Sequence, residues 1–295
     1  MSTGSVVVDP FSFPLREIPL RTAVRDALFE DRAFEDITTL ATIPAAAMSS
    51  AALVARTHGV ICGGPIAAEA FRQVSPSVRT ETVRADGTIV EPGDVVLRIT
   101  GPSRALLQAE RVALNYMMHL SGVASLTHRY VQAIAGTSAK ILDTRKTTPG
   151  LRHLEKYAVR CGRGRNHRMD LSAMAMLKDN HLAAVGGDIV AAVAAVRATM
   201  PDDTWIEVET DRIEQVERAI ESGANVIMLD NMSLDMMRAC VQLVAGRAII
   251  EASGGVTLDR VRSIAETGVD WISVGALTHS APALDLGLDF DFDIT

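Results

Sequence analysis

Residues 205–231 read WIEVETDRIEQVERAIESGANVIMLDN, and this stretch decides the fold. A strand is expected at Trp205–Glu209, where Ile206–Glu209 alternates apolar and acidic residues, as a strand with two unlike faces does. Arg212–Glu221 is patterned as a helix and stops at Gly223. Asn225–Asp230 is a second apolar run that closes on a carboxylate. Strand, helix and strand at this spacing predict parallel strands joined by a right-handed crossover.

The unit repeats on both sides. Downstream, a helix over Leu234–Val244 stops at Gly246, a strand covers Ala248–Ala252, a helix over Leu258–Glu266 stops at Gly268, and a strand covers Trp271–Val274. Upstream, strands are expected at Lys140–Asp143 and Ala175–Lys178. Each of these six strands ends in groups capable of chemistry: Thr144-Arg145-Lys146, Lys178-Asp179-Asn180, Glu209, Asp230-Asn231, Ser253-Gly254-Gly255 and Gly275. An open doubly wound sheet and a closed barrel both satisfy the pattern. Only switch-point strands line the crevice of an open sheet, whereas every barrel strand can aim its C-terminal end at one site. Six strands out of six favour the barrel.

Before Gly136 the pattern is different. Asp36–Thr100 reads as strands at Ala51–Arg56, Val78–Arg84 and Asp94–Thr100, with a short helix around Ile66–Val74: a small α/β domain on an antiparallel sheet. A helix is expected over Leu20–Glu30, and residues 1–15, with Pro10 and Pro14, read as an arm. Ser103 is placed to cap a helix over Arg104–Leu120; a break at Gly122 and a second helix over Ser125–Ala135 follow.

Composition narrows the function. A chain of 295 residues with 48% hydrophobic and 22% charged residues is globular in balance. The net charge of −7 argues against nucleic acid or an anionic membrane as partner, since both call for a basic face. Cys62, Cys161 and Cys240 are far apart with no C-x-x-C, so neither a disulfide framework nor a zinc site is indicated, and a reducing cytoplasm is expected. No signal peptide and no membrane span are expected.

The chemistry is densest from Asp143 to His181. Arg145 and Lys146 close one predicted strand and Lys178 another; Arg168 lies between them. Cations at barrel strand ends converge, and an arginine fork matches carboxylate or phosphate. His167 sits among these anion ligands. Glu207 and Glu209 point to the same side of their strand, Glu207 deeper and Glu209 nearer the mouth. Glu209 and Asp230 together can hold sugar hydroxyls, ligate Mg²⁺ or face a developing oxocarbenium ion. Ser253-Gly254-Gly255 and Val274-Gly275-Ala276 follow the last two strands, where barrels often cradle a phosphate. The residues alone describe a barrel mouth suited to an anionic substrate and a phosphorylated sugar, without identifying the reaction.

The strings DTRKTTPGLR at 143–152 and LKDNH at 177–181 resemble the quinolinate phosphoribosyltransferase family (nicotinate-nucleotide pyrophosphorylase, carboxylating). The resemblance runs nearly end to end through EDITT at 35–39, AERVALN at 109–115, NHR at 166–168, IEVE at 206–209, LDN at 229–231, EASGGV at 251–256 and SVGALTHS at 273–280. It implies an incomplete, seven-stranded α/β barrel over 123–279 and an N-terminal α/β sandwich domain over 1–122, to which the tail, 280–295, returns. It implies phosphoribosyl transfer from phosphoribosyl pyrophosphate to quinolinate with loss of CO₂. Six strands are read directly, and the region Leu151–Arg165 is where the seventh is expected.

By matching motifs, Thr144, Arg145, His167, Arg168 and Lys178 would bind the quinolinate carboxylates, with Arg111 supplied by a neighbouring subunit. Lys146 would face the pyrophosphate, Glu209 and Asp230 the ribose hydroxyls and Mg²⁺, and Ser253–Gly255 with Val274–Ala276 the 5′-phosphate. A homodimer with shared active sites, or a higher assembly of it, is implied as well. The chain departs from many relatives at Gly162-Arg163-Gly164-Arg165, where they carry a glycine run, and at Asp170 and Ala173. Two other readings compete: a ModD-like relative acting on another substrate, and a non-catalytic phosphosugar-binding regulator, against which the acidic pair Glu209 and Asp230 argues.

Overall fold

The structure, a computed structural model, describes residues 12–291. In chain order the elements are α1 (Glu17–Glu30), α2 (Ile37–Thr42), β1 (Met48–Ala55), β2 (Gly59–Val60), α3 (Gly64–Val74), β3 (Arg79–Thr82), β4 (Ile89–Val90), β5 (Val95–Pro102) and α4 (Ser103–Ala133). There follow β6 (Lys140–Leu142), α5 (Arg152–Cys161), β7 (Ala175–Leu177), α6 (Asp179–Ala184), α7 (Ile189–Thr199), β8 (Ile206–Thr210), α8 (Ile213–Glu221), β9 (Val226–Asp230) and α9 (Leu234–Val244). The described residues end with β10 (Ile249–Ser253), α10 (Leu258–Ala265), β11 (Trp271–Ser273), α11 (Ala276–His279) and β12 (Leu286–Asp291).

Contacts divide the chain into two units. The first holds the described residues up to His128, with Pro149–Arg163 and Ala281–Asp291. Its antiparallel sheet runs β12-β1-β5-β3. Leu53 faces Leu97 and Ala51 faces Ile99 across β1 and β5, and all four are buried. The buried carboxylate of Asp86 accepts the backbone N–H groups of Gly63 and Gly64 (3.0 Å each), where α3 begins, and the Tyr157 hydroxyl (2.8 Å). Burial and the Asp86 charge hold that phenol in its protonated form.

One expectation is corrected in this unit and another is met only in part, at Arg165. Gly122 does not break a helix: α4 runs unbroken through it. The glycine is needed for close approach instead, since a Cβ there would overlap the Pro282 carbonyl. Nor does Leu151–Arg165 supply a full strand. Most of it is α5, whose buried Leu154, Tyr157 and Ala158 pack it into the first unit. Of the expected N-terminal arm, residues 1–11 lie outside the described residues.

The second unit holds the parallel strands, in the order β6-β11-β10-β9-β8-β7. They follow one another from β7 to β11, and β6, the first in the chain, lies beside β11, the last. On the other side of β6, Arg165 makes a single parallel bridge to Leu142. First strand beside last is the order of a barrel, and two side-chain meetings show the curl. Trp205, just before β8, stacks on Trp271 of β11 with ring centroids 6.4 Å apart. On a flat sheet those strands would be roughly 14 Å apart. Glu207 of β8 and Glu251 of β10 converge on one imidazole, that of His167.

Alternation along the strands explains what fills the two faces. Val208, Ile227, Leu229, Ile250, Ala252 and Ile272 are buried apolar residues on the face that α8, α9 and α10 cover with Val216, Met237, Cys240, Val261 and Ile264. Removing that area from water stabilises the unit at roughly 25 cal/mol per Å². The other face is thereby free to carry polar side chains. Gly223 ends α8 at φ 72°, a conformation that a side chain would strain.

Candidate active site

Where the strands end, one cavity of about 650 Å³ opens in the second unit. Its lining alternates along the strands: Met176 and Lys178 from β7 and its end, Glu209 from β8, Met228 and Asp230 from β9, Glu251 and Ser253 from β10, Ser273 from β11. Thr144, Arg145 and Lys146 follow β6, and His167 and Arg168 come from the loop after the Arg165 bridge. That loop is held from β6 by Asp143, a fully buried carboxylate that accepts from the Asn166 side chain (2.6 Å) and the His167 backbone N–H (2.9 Å).

The cationic wall consists of Arg145, Arg168 and Lys178. The Arg168 guanidinium donates to the Met174 carbonyl (3.0 Å) and approaches the Met176 sulfur (3.5 Å). Burial lowers its pKa, and the neighbouring Arg145 charge lowers it further. Arg145 Nε is itself buried without a hydrogen-bond partner among the described residues. Two guanidinium groups close enough to disfavour each other, one with an unused buried donor, are arranged so that they can receive an anion. The Lys178 ammonium is ion-paired with Glu209.

Beneath this wall lies a buried cluster. His167 Nε2 is 3.1 Å from Glu207 and 3.2 Å from Glu251. Burial opposes charge on the ring, but the two carboxylates outweigh it and raise the pKa to about 9. The Arg168 backbone N–H donates to Nδ1 (2.8 Å), a bond open only to the neutral ring, so protonation must sacrifice it. Burial raises the pKa of Glu207, the neighbouring His167 lowers it and the Glu251 charge raises it. Ser273 Oγ donates to Glu251.

Beyond Lys178 the lining carries Glu209, Asp230 and the turn Ser253-Gly254-Gly255. Gly254 has φ 87°, and a Cβ on it would overlap the Asn231 amide, so only glycine fits. Of the residues singled out from sequence, the cavity brings together Thr144, Arg145, Lys146, His167, Arg168, Lys178, Glu209, Asp230, Ser253, Gly254 and Gly255.

Val274, Gly275 and Ala276 are not among its lining residues. Val274 is buried, with its N–H on the Leu142 carbonyl (2.9 Å), and Gly275 starts α11 beside the Lys146 side chain. Arg111 is on α4 in the first unit, in a hollow with Asp31, Arg32, Glu35, Asp36 and Glu110. Sequence reading missed Met176, Met228, Glu251 and Ser273. The two-residue strand period that paired Glu207 with Glu209 would have found Met176, Met228, Glu251 and Ser273 as well.

Comparison with known proteins finds similarity over most of the chain. The model of the quinolinate phosphoribosyl transferase C-terminal domain matches residues 123–289, and that of the N-terminal domain matches residues 36–121. The chain is 43% identical over 275 residues to a nicotinate-nucleotide pyrophosphorylase [carboxylating] of Mycobacterium leprae, covering 91% of this chain and 96% of that one. It is 47% identical over 238 residues to a probable nicotinate-nucleotide pyrophosphorylase [carboxylating] of Synechocystis sp., covering 80% of each. Among solved structures it is similar to NadC from Streptococcus pyogenes, with a TM-score of 0.90 and 41% identity, covering 95% of this chain and all of that one.

Proposed function

The chain belongs to the quinolinate phosphoribosyltransferase family, and we infer that it transfers phosphoribosyl from phosphoribosyl pyrophosphate to quinolinate with loss of CO₂. The products are nicotinate mononucleotide and pyrophosphate, and the step belongs to the de novo route to NAD. The observation that carries this reading is the single cavity in which Arg145, Arg168 and Lys178, from three segments of the chain, face Glu209 and Asp230.

Two carboxylates on one ring need several cations, and a clamp of two guanidinium groups and an ammonium holds the ring nitrogen towards the sugar. This is catalysis by proximity and orientation. Lys178 must exchange Glu209 for a substrate carboxylate as the acid enters. The nitrogen lone pair forms the bond to C1 as the C1–oxygen bond breaks and pyrophosphate leaves. Glu209 and Asp230 favour the positive charge that develops at C1. Cations around the 2-carboxylate resist its departure, so transfer comes first. The pyridinium then accepts the electron pair of the C2–carboxylate bond, CO₂ departs, and a proton takes its place at C2. Ser253–Gly255 receives the 5′-phosphate on backbone N–H groups.

Magnesium fits the donor set. Glu209 and Asp230 present carboxylate oxygens, the hard donors Mg²⁺ takes beside substrate phosphates. Asn231 occupies Oδ2 of Asp230 (2.9 Å), which leaves a second oxygen for a cation. When bound, the ion would neutralise the leaving pyrophosphate. A cytoplasmic homodimer with shared sites, Arg111 reaching its partner's cavity, completes the reading. In support, the three cysteines are buried and form no disulfide. No helix of the described residues is long and apolar enough to cross a membrane.

The test is to mix the protein with quinolinate, phosphoribosyl pyrophosphate and Mg²⁺ and to assay CO₂ and nicotinate mononucleotide. Turnover only with a different acid would reassign the substrate, and binding without turnover would make the protein a regulator.

A further inference from the structure

Among the described residues, four other than glycine have positive φ: Arg32, Arg163, Asn231 and Ala245. Of these, only Asn231 (φ 55°) lines the cavity. Asparagine tolerates the left-handed region better than most residues, and that tolerance alone would account for an Asn in a turn. Here the side chain does more. Its Nδ2 donates to Asp230 Oδ2 (2.9 Å). Its amide occupies the space beside Gly254 that a Cβ would need. Its backbone N–H donates to the Ser253 carbonyl (2.9 Å).

The N–H bond continues the pairing of β9 with β10, and the left-handed backbone goes with the two contacts of the amide. That backbone turns the chain sharply after β9, so that the amide folds back over the carboxylate just before it and across to the turn after β10. Glycine would satisfy the backbone equally well and would leave the amide's two contacts unmade. The amide is therefore the informative part.

We propose that Asn231 is a positioning residue that ties the Asp230 carboxylate to the Ser253–Gly255 turn, so that the two sides of the phosphorylated-sugar site are held as one. The inference rests on the reading of this cavity as a phosphoribosyl pyrophosphate site. Asn231 acts through its neighbours: Asp230 keeps its orientation because one oxygen is held, and the glycine turn keeps its shape because the amide packs on it. The hydrogen bonds of Asn231 run to Asp230 and Ser253 and not to the cations Arg145, Arg168 and Lys178, so the two substrates should respond differently to its loss.

Asn231→Gly tests this, since it preserves the positive φ and removes only the amide. Binding of phosphoribosyl pyrophosphate with Mg²⁺ is measured by calorimetry, beside KM for each substrate and the melting temperature. The expected result is a roughly tenfold weaker affinity and higher KM for phosphoribosyl pyrophosphate, the size of one lost charge-assisted hydrogen bond. KM for quinolinate stays within about twofold and the melting temperature is unchanged. Asn231→Ala, which strains the turn as well, should melt lower than Asn231→Gly. Unchanged affinity for phosphoribosyl pyrophosphate in Asn231→Gly overturns the proposal while leaving the reading of the site intact, as does an equal rise in both KM values. Wild-type protein that binds no phosphoribosyl pyrophosphate overturns that reading, and the proposal with it.

Discussion

Lys178, at the end of β7, pairs its ammonium with the carboxylate of Glu209 on the adjacent strand β8. One residue thus links the cationic wall to the acidic side, and it must let go when an anion enters. The Lys178 side chain is 40% exposed, so the pair adds little to stability, about 0–1 kcal/mol. Lys178→Ala should therefore melt within a few degrees of wild type. Its affinity for quinolinate should fall by roughly 30-fold or more, the effect of removing one charged partner from a desolvated carboxylate. Titration calorimetry with quinolinate decides it, and equal affinity would remove Lys178 from the site.

The buried ring of His167 makes stability depend on pH. Its pKa is raised to about 9, above the roughly 6.5 of an unfolded histidine. The sign follows from linkage: the contribution is complete below about pH 6.5 and is lost as pH climbs through about 9. Its upper limit is about 3 kcal/mol. Chemical denaturation of wild type and His167→Gln between these pH values should show a decline in wild type that the variant lacks. Parallel curves would mean that the ring stays neutral.

Gly254→Ala meets both a positive φ and the Asn231 amide. A loss of about 1–3 kcal/mol in stability is expected from the backbone alone. Affinity for phosphoribosyl pyrophosphate should fall further than affinity for quinolinate, measured on the folded fraction. A variant with wild-type binding of both would show that the turn does not carry the phosphate.

Arg111 and Lys178 offer a test of shared sites. Arg111→Ala and Lys178→Ala should each be inactive alone. After subunit exchange, verified by mass spectrometry, a random dimer mixture should recover roughly a quarter of wild-type activity, because each heterodimer rebuilds one complete site. Absence of recovery would mean that Arg111 serves its own subunit or none.

The helices and strands of the second unit were legible because each signal is local. Apolar runs of one strand's length, helices closed by Gly223, Gly246 and Gly268, and polar groups at every strand end are all visible over a few residues. The cations Arg145, Arg168 and Lys178 and the carboxylates Glu209 and Asp230 were found for the same reason. Less legible was anything set by distant packing. Gly122 looked like a helix break until the Pro282 carbonyl beside it showed why a Cβ is excluded. Leu151–Arg165 lies between two barrel strands in sequence, yet its buried face belongs to the first unit, and only Arg165 joins β6.

The order of residues along the chain determined which segments become strands and helices and which charged groups stand at strand ends, because backbone propensity and hydrophobic period act over neighbouring residues. Only the tertiary structure decided that Glu207 and Glu251 meet on His167, that Asn231 folds back onto Asp230 and Gly254, and that Lys178 pairs with Glu209. Those relations depend on how far the sheet curls and where each strand stops against the next. That curvature is settled by packing summed over all the strands and helices, and no short stretch of sequence contains it.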